Sequence, residues 1–257
     1  MGICALCGRK EPLMQSHIIP KLVYRRIKKS GRFRSLDDIN RILQDGEKRP
    51  MLCHYCEELF SSYEQNFAKT FLDSYLNAGI VNPHRDGIID NYIITVAWRI
   101  LWDELYRLDS FNGQWQRPFF EAFEKDMKNY LNSLGPKNNS YTGSDFINRV
   151  YKLTDLIKVP VFAIEFESTL FGYAICFKES YIFSVIVQYA GLVFVTDYIP
   201  HGDRYIIIGK RKRILFKNLF RKKEVRNELY EYLKIMIEQR RKVVTPEVQK
   251  MIAKHYE

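Results

Sequence analysis

Two stretches decide the fold: Cys4-Ala5-Leu6-Cys7-Gly8 near the start, and Leu52-Cys53-His54-Tyr55-Cys56-Glu57 further on. Two thiolates separated by two residues can both reach one tetrahedral ion, and a glycine after the second lets the backbone turn back tightly. The second pair stands where a helical pattern begins. Knuckle, hairpin region, then a pair at a helix N-terminus is the layout of a treble-clef zinc finger. The reading is one structural Zn2+ held by Cys4, Cys7, Cys53 and Cys56, a closed four-thiolate shell with no open position for chemistry. The alternative is four separate buried thiols. A redox C-x-x-C needs a thioredoxin-like βαβ context, which the sequence lacks.

Outward from the second pair the apolar period is helical. Leu59, Phe60, Tyr63, Phe67, Phe71, Leu72, Tyr75 and Leu76 recur at three and four, and Gly79 and Pro83 end the run. A second helix is predicted over 88–108, with Arg99, Asp103, Glu104 and Arg107 setting it apart from a lipid-facing segment. A third is predicted over 118–134, stopped by Gly135-Pro136. Residues 137–143 are the best candidate linker. A short helix is expected over 145–156 with Ser144 as N-cap. The period then drops to two, which predicts strands at 159–167, 171–177, 181–188, 192–198 and 205–208. An amphipathic helix over 224–241 and a short one at Thr245-Pro246-Glu247 close the chain. The fold class is α+β: a zinc-finger module over 1–65, a helical region over 66–136, and an antiparallel sheet with flanking helices over 144–257.

The chain has 257 residues, a formal charge of +10, and 46% hydrophobic residues, enough for a sizeable core. The charge favours an anionic partner, nucleic acid before membrane. It is concentrated in two runs. Arg25, Arg26, Lys28, Lys29, Arg32 and Arg34 follow closely on His17, and the stretch 204–223 carries nine bases and no acid. The first is the candidate phosphate grip, against the alternative of a solvated face. Residues 180–196 carry no charge but are short for a spanning helix, broken by Gln188 and Gly191, and rich in strand formers. Paired thiols behind an N-terminus with no signal-like segment point to a reducing compartment, the cytoplasm. Cys176 stands alone in a strand-like run.

Between the two pairs lies Ser16-His17-Ile18-Ile19-Pro20, followed by Asn40. Cys-x-x-Cys, a His with two apolar residues and Pro, an Asn, then Leu-Cys-x-x-Cys resembles the HNH endonuclease superfamily, over about the first 65 residues. The resemblance implies a zinc-stabilised ββα-metal core in which His17 is the general base. It implies Asn40 as the group orienting that base, and a second divalent ion, Mg2+ or Mn2+, at the leaving oxygen. Two positions depart from the family pattern: Ser16 stands where Asp or His precedes the base, and Glu57 where His or Asn follows the last cysteine. Glu57 supplies a carboxylate oxygen in place of that residue, with Glu64 two helical turns on as a second ligand. His17 and Glu57 are then expected on one face of the finger.

Each assignment has a plainer counterpart. His17 packs inside the finger; Asn40 makes a turn; Glu57 complements the helix dipole; Glu64 is a surface charge; His54 is exposed rather than a zinc ligand. Two functions follow. The first is a metal-dependent endonuclease acting on DNA ahead of RNA, similar to bacterial or phage defence and toxin effectors. The second is a non-catalytic module gripping nucleic acid or a protein. The C-terminal half is the candidate surface for a protein partner or a second copy of the chain, and no membrane is involved.

Overall fold

Pro50 cannot donate a ladder hydrogen bond, and next to it the pairing of two strands slips by one residue. The slip shapes the N-terminal module. In the computed structural model, β1 (Gly2–Ile3) pairs with β2 (Lys10–Glu11) around the knuckle. Strand β3 (Leu13–His17) leads into α1 (Lys21–Ile27), followed by the short β4 (Phe33–Arg34) and β5 (Ile42–Leu43), which pair with each other. Strand β6 (Lys48–Cys53) returns antiparallel to β3, pairing Met14 with Leu52 but Gln15 with Pro50. The extra residue, Met51, turns its carbonyl outward to accept the Ala5 amide at 2.9 Å. The bulge thereby pins the knuckle to the hairpin. Described residues are 1–27, 33–34, 42–43, 46–79, 87–134, 146–157, 170–177, 182–198, 205–208, 212–215, 221–243 and 246–247.

Helix α2 (His54–Phe67) begins directly after Cys53, continues through a π-turn (Ala68–Leu72) into α3 (Asp73–Ala78), and ends where Gly79 takes φ 65°. The left-handed cap needs glycine, which is why the helical run stops there. Helix α4 (Gly87–Tyr106) is buried along nearly its whole length, and α5 (Arg117–Ser133) packs beside it. The expected helical run ended by Gly79 forms, beginning at His54, and so do the helices expected over 88–108 and 118–134.

The expected helix over 145–156 is a correction. Its larger part is strand β7 (Phe146–Lys152), followed by a single turn, α6 (Leu153–Leu156). Phe-Ile-Asn-Arg-Val-Tyr alternates its faces: Arg149 and Tyr151 go to one side and Asn148 and Val150 to the other, the two-residue period of a strand. Strands β8 (Phe171–Phe177), β9 (Ile182–Tyr189) and β10 (Leu192–Tyr198) complete an antiparallel sheet in the order β7-β10-β9-β8. Ala190 and Gly191, at φ 53° and 71°, make the two-residue turn that joins β9 to β10. The uncharged run 180–196 is therefore mostly hairpin, and no helix among the described residues is long and apolar enough to cross a membrane. Strand β11 (Tyr205–Ile208) pairs with β12 (Lys212–Leu215), a strand unexpected inside the second basic run. Helix α7 (Lys222–Val243) follows. The expected strand over 159–167 and the linker over 137–143 lie outside the described residues.

The sheet is covered on both sides. One core runs from Cys4 and Leu6 through Phe60 and Phe67, along α4, to Phe183, Val187 and Phe194 on one sheet face. The other face, with Ile186, Val193 and Val195, packs against Leu153 of α6 and Val225 and Leu229 of α7. Successive residues of β9 and β10 serve opposite cores, so these strands are buried along their whole length. Helix α4 lies between finger and sheet, and through it the finger's position is fixed.

Candidate functional site

The hairpin and the first turn of α2 bring the four cysteines together. Their sulfurs all lie within 4.8 Å of one another, with Cys7 Sγ and Cys53 Sγ 3.7 Å apart. Sulfurs about 2.3 Å from one tetrahedral ion stand about 3.8 Å from each other, so the spacing fits a bound metal. A disulfide, at about 2.05 Å, does not fit it. The Cys53 amide donates to Cys4 Sγ at 3.3 Å, and Gly8 takes φ 75° as the knuckle turns back. Hydrogen bonding from the Cys56 thiol, helped by the amides of Cys7 and Cys53, brings the Cys4 thiol down to about 4 against the opposing effect of burial. The same pairing and burial push Cys56 up. Four sulfurs this close share either protons or a cation, and the donor set suits a soft or borderline dication.

Arg9 flanks the cluster. Its guanidinium donates to Cys7 Sγ at 3.3 Å and to Cys53 Sγ at 3.6 Å, and lies 5.2 Å from the centre of the Tyr55 ring. A four-thiolate site carries net negative charge, and Arg9 offsets part of it. His54 is exposed and meets Glu58 at 3.2 Å, outside the cluster. Cys176 lies in β8, apart from the four.

His17 ends β3, opposite Lys48, with its ring 6.4 Å from Tyr24 of α1. Tyr24 reaches that position only because Gly46, at φ 87°, has no side chain; a Cβ there would lie 2.1 Å from the phenol. The residue that meets Glu57 is Ser16, fully buried, whose hydroxyl donates to Glu57 Oε2 at 2.7 Å. Side chains alternate along a strand, so His17 turns to the other face, toward α1. Glu57, held through Ser16, and His17, beside Tyr24, both lie near the end of β3. Glu57 also sits in the first turn of α2, where its charge complements the helix dipole.

Glu64 lies on the same side of α2, and its carboxylate takes a 2.8 Å hydrogen bond from Arg99 of α4. Burial pushes Glu64 up, and Arg99 offsets part of that rise. Around this pair runs a buried polar seam that sequence reading did not find. Arg49, the cross-strand partner of Ser16, donates to Glu47 at 2.9 Å and to Asp103 at 3.0 Å. Asp103 also takes Arg107 at 2.8 Å. Arg99 and Asp103 stand four residues apart on one face of α4, with Arg107 just past its end, and that spacing was the available signal. Arg99 is 1% exposed and lies 4.8 Å from the Phe60 ring centre.

Of the basic residues, Arg25 is exposed, while Arg26 forms a two-pronged ion pair with Asp73. Arg34 belongs to β4; Lys28, Lys29, Arg32 and Asn40 lie outside the described residues, as do His84, His201 and His255. In the second run Arg221 is buried, donating to Asp197 at 2.9 Å, so that run is not wholly a solvated face.

The geometry thus gives a four-cysteine cluster that could hold a metal ion, at the hairpin and the start of α2, with Ser16, His17 and Glu57 near the hairpin's end. Among the described residues the four cysteines are the only group of three or more such ligands gathered closely enough for one ion. No protein-family model, curated protein sequence or solved structure matches the chain.

Proposed function

We propose that the protein is a metal-dependent nuclease, in which a zinc ion on Cys4, Cys7, Cys53 and Cys56 shapes the hairpin and helix that carry His17 and Glu57. The observation that carries the reading is the placement of Glu57 beside Ser16 at the end of β3, with His17 next along the strand. In-line attack on a phosphodiester puts the incoming water and the leaving oxygen on opposite sides of phosphorus. A base and a carboxylate on two sides of one strand end suit that demand. His17 takes a proton from water, the resulting oxygen bonds to phosphorus, and the bond from phosphorus to the leaving oxygen breaks. A hard divalent ion, when bound, neutralises charge on that leaving oxygen.

Magnesium commonly rests on one or two carboxylates and completes its shell with water and substrate phosphates. Glu57, with the Ser16 hydroxyl holding its orientation, is such a ligand, and a preformed acidic cage is not required. Arg25 and its basic neighbours hold the phosphate backbone, DNA ahead of RNA.

A non-catalytic grip on nucleic acid is the second reading. One observation favours it: the Glu57 carboxylate already accepts a hydrogen bond from Ser16. Nicking of supercoiled plasmid and of RNA with added magnesium or manganese separates the two. Wild type should cut, and His17→Ala should lose cutting while keeping zinc and nucleic-acid affinity. Binding without cutting by the wild type would establish the second reading.

A further inference from the structure

Arg99 stands outside the hairpin and helix of the finger, on α4, yet its guanidinium lies against their polar side. Its Nη2 donates to Glu64, its Cζ lies 4.8 Å from the Phe60 ring centre, and its Nε and Nη1 groups are buried with no hydrogen-bond acceptor among the described residues. Buried guanidinium N–H groups without acceptors are rare because each forfeits its hydration with nothing in return. Phe60 lies one turn beyond Glu57 on α2, so these donors sit on the helix face that carries Glu57. Glu64, which pairs with the third nitrogen, keeps 16% of its side-chain exposure.

The seam therefore combines two incomplete features. Glu57 has a hydroxyl partner but no cationic one among its described hydrogen bonds, and Arg99 has N–H donors without acceptors. A divalent ion carrying a phosphate completes both: the ion on the carboxylate, a phosphate oxygen on the guanidinium. A fixed fork of donors in a dry setting is what phosphate recognition by arginine requires.

We propose that Arg99 is a phosphate contact of the candidate site, supplied by α4 to the zinc finger; this rests on the nuclease reading for its substrate class. It gives α4 a chemical as well as a packing role. The finger's own residues provide the base and the carboxylate, and the helical region provides the donor for the phosphate oxygen.

The test uses the full chain and inorganic phosphate, followed by phosphorus NMR with and without magnesium. Arg99→Lys keeps the charge beside Glu64 but loses the fork. The paired Arg99→Gln/Glu64→Gln variant removes both charges together, and metal content with the thermal midpoint confirms that each variant is folded. Wild type should bind phosphate with magnesium present, and both variants should bind it at least tenfold more weakly. Cleavage by the variants should fall on the order of 100-fold, while His17→Ala should keep phosphate affinity. No phosphate binding by wild type, or folded variants that bind as wild type does, would overturn the assignment. If wild type binds phosphate through Arg99 yet cuts nothing, the Arg99 contact stands and the nuclease reading falls.

Discussion

Ser16 is the residue on which the site's local order depends. Its hydroxyl is buried and its partner is a carboxylate, a pairing worth more than a neutral hydrogen bond. Ser16→Ala should lower stability by about 1–3 kcal/mol, read by urea unfolding, with metal content unchanged because no cysteine is touched. The cysteines behave differently. Cys53 is at once a member of the cysteine cluster, strand end and N-cap of α2, so Cys53→Ser should weaken metal binding and loosen hairpin and helix together. These two residues also mark what the sequence could reveal. Cysteine spacing is local and chemically distinctive, so the gathering of the four cysteines is legible from the letters alone. Ser16 finds Glu57 from 41 positions away, and nothing in the identity of a serine announces that partner. Arg99 and Asp103 were legible only as charges that set the helix apart from lipid; their partners Glu64 and Arg49 come from other elements, which the sequence does not show.

Among elements, α4 links the parts. Its Glu104 is buried and accepts the Ala174 amide of β8 at 3.0 Å, joining the helix to the sheet. Burial pushes this carboxyl up to about 8. A carboxyl whose folded value lies above its unfolded one binds its proton more tightly in the folded state. Its stabilising effect is therefore full below the ordinary carboxylate range and is lost as pH rises through about 8. Glu104→Gln, which cannot ionise, should flatten the fall in thermal midpoint between pH 5 and 8, and a variant as pH-dependent as wild type would refute this. The long helices were legible because their apolar period persists over several turns. Strand β7 was not, because 146–152 is short and its pairing with β10 is tertiary information. The strand β12 was hidden among lysines and arginines, whose character described the surface better than the backbone.

At the scale of the molecule, one core among the described residues joins the cysteine cluster to the sheet. Chelation should consequently lower the unfolding midpoint of the full chain, rather than melt a separate finger and leave the rest untouched. Calorimetry showing an unchanged main transition after metal removal would contradict that coupling. Charge acts on the same scale. If the basic run near α1 grips phosphates, nucleic-acid affinity should fall steeply with salt. Reversing Arg25, Lys28 and Lys29 should flatten the slope, and Arg26 should contribute less because Asp73 already holds it. The measurement that bears most directly on the account is the rate of phosphodiester cleavage against manganese concentration, with zinc-loaded wild type, His17→Ala and Glu57→Gln compared side by side. The account predicts saturable cleavage by wild type, none by His17→Ala, and a curve shifted to higher manganese or abolished for Glu57→Gln. Cleavage that persists unchanged in both variants, or none by wild type at any manganese concentration, would contradict it.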